Sequence, residues 1–328
     1  MTIRQLICKL PVNSDKKIRL QGFVQRIYWF LHYDKKRRNE LINNQVLLNS
    51  NHYYGHEYWL KKYCGYDHRI GGIIEHGVYF GNNRDRVGPS EDWDTGSILT
   101  FGESRVSLLK ELYPSYNIYP IGPRIHYAEI SQTYYEEIYR KLDHTGKTLT
   151  IYPSHSIANA KAKFDSKLFL EEAKQLAKRI GAKNILVSLH PSDYLHNINL
   201  DFEGANVILV GGGNNPLEFL PRIKAIFKLS DLTFSNSLGT HVGYSIYMKT
   251  PHVMSLSSNK NAGNPVYECE QKKFAEVFNG VDLYSISEEQ YALCDYYFGY
   301  SYIRKPSDLQ IILDECRAKY YELYGKRI

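Results

Sequence analysis

The stretch Asp231–Pro251, DLTFSNSLGTHVGYSIYMKTP, decides the fold. Leu232 and Phe234 mark a short apolar strand, Ser235-Asn236-Ser237 a small polar turn, and a helix opens near Leu238 or Gly239. A strand that ends in small hydroxyl residues at a helix N-terminus is built for phosphate. The first helical N–H groups lack intrahelical partners, and the positive end of the helix dipole faces the anion. Ser235, Ser237 and Thr240 add hydroxyl donors. The same hydroxyls also serve as helix caps, and the two roles are compatible.

Upstream, residues 185–191 read ILVSLHP and place His190 and Pro191 at the end of a second apolar strand. Ligands of open α/β sheets sit beyond the carboxyl ends of the strands. Two such ends therefore predict a nucleotide or sugar-phosphate site. The surrounding pattern agrees. TLTIYPSHS (148–156) is a strand ending at Ser154-His155-Ser156, SKLFLEEAKQLAKRI (166–180) a helix stopped by Gly181, and NVILVGGG (206–213) a strand before a helix opening near Pro216. PHVMSL (251–256) closes the series, and a tail helix spans 306–324. Strands that are apolar throughout and separated by helices belong to a buried parallel sheet.

A second, smaller series precedes it. RIGGIIEHG (69–77) is a strand ending at Glu75-His76-Gly77, SILTFGES (97–104) a strand followed by a helix over 105–113, NIYPIGP (117–123) a strand stopped by Gly122 and Pro123, and 132–142 a helix. The polar run Asp143–Lys147 is the best boundary, dividing the chain into 1–143 and 147–328. Residues 16–48 have helical spacing (Leu20, Phe23, Val24, Ile27, Phe30, Leu31) between basic residues Lys16, Lys17, Arg19, Arg26 and Lys35–Arg38. This is either an ordinary surface helix or one that rests on an anionic membrane face.

Composition narrows the class. The chain has 328 residues, 43% hydrophobic, with 41 Lys+Arg against 35 Asp+Glu, a net +6. That mild excess suits anionic small molecules and is too scattered for nucleic acid. Five widely spaced cysteines with no CxxC argue against a disulfide framework or structural zinc. No apolar run approaches the roughly 20 residues of a membrane span, and the N-terminus lacks a signal-peptide core. A cytoplasmic protein, with peripheral contact to the inner face of the membrane left open, is the expectation. The 29 tyrosines suit sugar stacking and interfaces as well as plain core packing.

These residues resemble a family. His190-Pro191, Ser235-Asn236-Ser237 and Glu75-His76-Gly77 stand, in order and spacing over residues 69–260, where bacterial glycosyltransferases of the GT-B architecture carry a His-Pro motif, a Ser-Ser/Thr motif and an acidic motif ending in Gly. Those enzymes have two facing Rossmann-like domains. The likeness is to capsule and lipopolysaccharide transferases that use CMP-activated sialic-acid-like or Kdo-type sugars. The His-Gly pair is also similar to that of teichoic-acid glycerophosphate polymerases. Two departures stand out: one carboxylate instead of two in the acidic motif, and Asn between the serines.

The resemblance implies an α/β fold of two facing Rossmann-like domains with a helical N-terminal segment. It implies transfer from a CMP-linked donor to a growing surface glycan, without a cofactor. Glu75 or His76 would take the proton of the acceptor hydroxyl, and His190 would assist the departing phosphate. Pro191, Ser154, His155, Ser156, Ser235, Asn236, Ser237 and Thr240 would surround the nucleotide phosphate. Gly212 and Gly213, in the loop Gly211–Asn215, would let backbone approach base or ribose. That loop does not complete GxGxxG, because Pro216 takes the place of the third Gly. His190, Asp193 and His196 lack helical zinc spacing, so no metal is expected. Gly146-Lys147-Thr148 precedes a strand where a P-loop would open a helix, and no GxSxG elbow occurs. Two rivals remain: a CDP-glycerol-type glycerophosphotransferase of the same fold, and a non-catalytic nucleotide- or glycan-binding protein.

Overall fold

Two parallel β-sheets with helices packed on them carry the chain, as the alternation of strand and helix predicts. The computed structural model describes residues 49–81, 95–154, 163–189, 202, 204–211, 216–259, 265–280 and 282–325. These fall within one compact unit, Val46–Ile328. The helix expected at 16–48 lies outside the described residues.

The first series begins with α1 (His56–Cys64), bounded by left-handed glycines Gly55 and Gly65. β1 (Ile73–Ile74), β2 (Ser97–Thr100), α2 (Glu103–Leu112) and β3 (Asn117–Pro120) follow. The three strands pair in parallel in the order β1–β2–β3. All four residues of β2 are buried, as befits a central strand covered on both faces.

After α3 (Gln132–Tyr139) the chain crosses to the second series. Asn184 pins the crossing: its amide donates to the Asp143 carbonyl at 2.8 Å and accepts from the Asp143 N–H at 2.7 Å. Then come β4 (Lys147–Tyr152), α4 (Ser166–Ile180), β5 (Ala182–Ser188), β6 (Asn206–Val210), α5 (Pro216–Lys228), β7 (Leu232–Ser235), α6 (Thr240–Tyr247) and β8 (His252–Met254). α4 shows why these helices form where they do. Asp165 accepts a hydrogen bond from the Leu168 N–H at its start, and Phe169, Ala173, Leu176, Ala177 and Ile180 form one buried stripe. Gly181 ends it in the left-handed region.

The second sheet runs β6–β5–β4–β7–β8, all parallel. Counted from β4 this is the order 3-2-1-4-5, the Rossmann arrangement. Its direction of winding reverses between β4 and β7, where a crevice opens beyond the strand ends.

Two further helices, α7 (Pro265–Phe278) and α8 (Glu288–Phe298), precede the tail helix α9 (Pro306–Tyr324). The tail does not stay with the second sheet. Leu309, Leu313 and Cys316 of α9 share a core with Leu60, Ile70, Ile74 and Leu99. The run 143–147 thus separates the two sheets in sequence, while the last helix of the segment 147–328 serves the first. Gly71 and Gly72 make the docking of α9 possible: a Cβ on Gly71 would stand 2.6 Å from the Cys316 carbonyl oxygen. Gly299 (φ 73°) turns the chain back after α8, and its backbone presses directly on Phe101 and Gly102 at the end of β2. No helix among the described residues is long and apolar enough to cross a membrane.

Candidate functional site

The second sheet supplies a helix start at its switch point. Ser235 ends β7, and α6 begins at Thr240 with Gly239 as its N-cap and no side-chain cap. Three of the expected phosphate ligands, Ser235, Asn236 and Ser154, hydrogen-bond within the turn itself. Ser235 is fully buried; its hydroxyl donates to the Ser237 carbonyl at 3.1 Å and lies 3.0 Å from His252 Nε2. Asn236 is also fully buried. It accepts from the Ser154 N–H (2.8 Å) and hydroxyl (2.9 Å), and donates to Ser258 Oγ (3.1 Å). The Asn between the serines therefore ties the end of β7 to the end of β4. Ser154 is held inside this network, whereas Ser237, Gly239 and Thr240 are partly exposed and face outward. His155, Ser156, His190, Pro191, Gly212 and Gly213 lie outside the described residues.

The first sheet supplies the Glu-His-Gly turn directly after β1. Alternation sends neighbouring side chains to opposite sides, and Glu75 goes inward. Its carboxylate, 6% exposed, takes Arg105 Nη2 at 2.5 Å on Oε1 and the Thr100 hydroxyl at 2.6 Å on Oε2. Arg105 Nε reaches Oε2 at 3.4 Å, and the guanidinium lies under the Tyr79 ring at 5.2 Å. His76 goes the other way and is partly exposed. Tyr79 Oη is 3.2 Å from its Nδ1, and the rings of Tyr53 and Tyr54 stand 5.6 and 6.3 Å away. The two motifs meet: a Cβ on Gly77 would lie 3.9 Å from Thr240 Oγ1.

Several groups at this junction carry no sequence signal, because a single His or Arg in an apolar stretch looks like any core polar residue. Arg124, fully buried, donates to the carbonyls of Gly122 (2.6 Å), Leu99 (3.0 Å) and Thr100 (3.1 Å) and packs on the Phe101 face. Burial lowers its guanidinium to about 10. His241, in the first turn of α6, stacks on Tyr152 at 5.0 Å. His56 and His252 are buried and held well below the usual histidine range, first by desolvation and then by nearby positive charge. At the ends of β5 and β6, a cavity of about 140 Å³ is lined by Tyr134, Leu189, Val210, Gly211 and Arg222, with Arg222 stacked 3.8 Å over the Tyr134 ring. Its lining is mixed, with the charged side chains of Glu137 and Lys141 beside these residues.

The buried histidines set a pH dependence. Folded, they stay neutral; unfolded, they take protons below about pH 6.5. Their stability is present in full above that pH and is lost as pH falls, by up to roughly 1.4 kcal/mol per unit for each. Half-buried His126 is lowered too and acts in the same sense. Glu57 opposes them: burial raises its carboxyl from 4.5 to about 7, so the folded chain keeps a proton that the unfolded chain has released. Two buried histidines against one carboxyl leave a net rise of stability with pH, about 1.4 kcal/mol per unit near pH 5 and fading as pH nears 6.5. His252→Gln lowers that slope by about 1.4 kcal/mol per unit in urea titrations at two pH values; an unchanged slope means His252 is not neutral in the fold.

No protein-family model and no curated protein matches the chain. Among solved structures it is similar to UDP-GlcNAc 2-epimerase from Neisseria meningitidis bound to UDP-GlcNAc, at 16% identity and TM-score 0.40, over 74% of this chain and 68% of that one. It is similar to the wall teichoic acid polymerase TagF at 16% identity and TM-score 0.44, over 76% and 68%. It is also similar to S. aureus MnaA with UDP, at 12% identity and TM-score 0.41, over 78% and 69%.

Proposed function

We propose that the chain is a metal-independent transferase that moves a group from a cytidine-nucleotide donor to a hydroxyl of a growing surface glycan. The observation that carries this reading is the meeting of Gly77 with Thr240. It brings a proton acceptor on one sheet to a phosphate-sized helix start at the switch point of the other. Transfer needs both within one donor's length.

In this reading the N–H groups after Gly239 and the hydroxyls of Ser237 and Thr240 hold the phosphate. Ser235, Asn236 and Ser154 fix the turn that presents them. His190 assists the leaving phosphate, and the cavity beside Gly211 takes the base. His76 removes the acceptor proton, and Tyr79 orients its ring. In its first form the donor is CMP linked to a sialic-acid-like or Kdo-type sugar. The commitment of both Glu75 oxygens to Arg105 and Thr100 favours the second form, glycerophosphate transfer from a CDP-glycerol-type donor, in which His76 is the base.

Thermal stabilisation by CMP, CDP, UDP, GDP and NAD tests the proposal, because a ligand of the native state raises the midpoint by mass action. The expected result is a shift with CMP or CDP that Thr240→Val removes. A response confined to UDP or GDP discards the donor class, and no response to any nucleotide overturns the transferase reading.

A further inference from the structure

The segment just before α1, residues 49–55, is fixed by Asn51 and Tyr54, and with it the start of α1 by Trp59, none of them used by the chemistry above. Fully buried Asn51 grips both sides of β1: its amide donates to the Gly72 carbonyl at 2.9 Å and accepts from the Ile74 N–H at 2.8 Å. Trp59 Nε1, one turn into α1, donates to the Leu217 carbonyl at 3.0 Å. Tyr54 packs on Phe219 of α5 with ring centroids 4.3 Å apart. The segment thus bridges the first sheet and a helix of the second series.

What this rigid bridge displays is aromatic and exposed. Tyr53 is 58% exposed and Tyr54 38%. Both rings stand beside His76, and Tyr79 closes a third side at 5.7 Å. Tyr54 adopts φ 56°, ψ 12°, the left-handed region that a bulky residue rarely enters. Such strain persists only where surrounding structure enforces it, and it concentrates at ligand sites. A fold that needed only a turn here would be better served by Gly. The position instead carries a large flat ring, apolar on its faces and polar at its tip.

We infer that Tyr53 and Tyr54 form the platform for the acceptor, and that the acceptor end group is a pyranose ring whose C–H face stacks on them while one hydroxyl reaches His76. This rests on the transferase reading and adds to it the acceptor class and two specificity-determining residues. A pyranose offers an apolar C–H face of the size of a tyrosine ring together with equatorial hydroxyls. A linear glycerophosphate end offers no such face, so the platform distinguishes sugar-ended from glycerol-ended acceptors.

The test is saturation-transfer NMR on the full chain with the methyl glycosides of glucose, galactose and N-acetylglucosamine, and with sn-glycerol 3-phosphate as the linear probe. Tyr54→Gly is the informative variant, since Gly takes the left-handed conformation without cost; Tyr53→Leu removes the second ring and keeps bulk. The expected result is transfer to ring C–H protons of at least one glycoside. Its affinity should weaken by roughly two- to tenfold for each ring removed, while the CMP or CDP thermal shift stays unchanged. Absence of transfer to any glycoside, transfer to glycerol phosphate alone, or equal affinities in both variants overturns the platform. Loss of affinity in the variants without a nucleotide shift in any form keeps the platform and sinks the donor reading. An intact nucleotide shift with indifferent variants does the reverse.

Discussion

Arg105→Met lowers the stability of the chain by about 3–5 kcal/mol, read as a fall in the urea midpoint at unchanged slope. The size follows from what the substitution leaves behind. Arg105 has 1% and Glu75 6% side-chain exposure, and the pair is joined at 2.5 Å. With the guanidinium gone, a carboxylate remains inside the protein with the Thr100 hydroxyl as its side-chain partner among the described residues. Removing one member of a buried pair costs far more than the pair contributes, because the survivor is desolvated and uncompensated. The double variant Glu75→Leu, Arg105→Met separates this from mere loss of packing: it recovers most of the stability, since neither charge is then buried alone. A single-variant loss below about 1 kcal/mol is the size expected of an exposed ion pair, and it would mean that this pair is not the buried clamp described.

How far this arrangement could be read in the sequence differs from part to part. α4 and α9 are legible to the residue, because each announces itself: a capping Asp165 and stop at Gly181 for one, Pro306 at the first helical position for the other. The strands of the second sheet are legible as short uniformly apolar runs between helices. α1, α7 and α8 are not. α8 mixes aromatic, charged and small residues without a clear apolar stripe, because both sheets' helices press on different sides of it. The return of α9 to the first sheet is invisible for another reason: periodicity shows which face is buried and not against what. The turns Glu75–Gly77 and Ser235–Ser237 are legible along the chain, since a polar turn after an apolar strand marks a strand end. The division of labour inside them was not legible. Ser235 and Ser237 are chemically identical in sequence, yet one hydroxyl is sealed against His252 and its neighbour two residues on is partly exposed. Glu75 reads as a candidate base until Arg105, thirty positions away, occupies it. Arg124, His56 and His252 carry no pattern at all; only tertiary contact gives them meaning.

His76→Gln lowers kcat by roughly 100- to 10,000-fold with little change in donor KM, measured with whichever cytidine donor stabilises the chain. Gln keeps the size and one hydrogen-bonding edge toward Tyr79 but cannot accept and hold a proton. The loss therefore appears in the chemical step, and the acid limb of the pH–rate profile disappears with it. Glu75→Gln is the control that makes the experiment decisive. Were Glu75 the base, Gln would abolish turnover entirely and no acid limb would remain, beyond the loss of stability that breaking the Arg105 pair brings in either case. As the partner of Arg105, Glu75 gives a different signature. The amide leaves the buried guanidinium without its counter-charge, so stability falls along with activity, and the residual turnover retains its acid limb. The residual turnover and its acid limb thus assign the roles, since the midpoint falls in either case. A fully active His76→Gln enzyme excludes His76 as base. A folded Glu75→Gln enzyme with no residual turnover returns the proton transfer to the carboxylate, and with it the acidic-sugar form of the reaction.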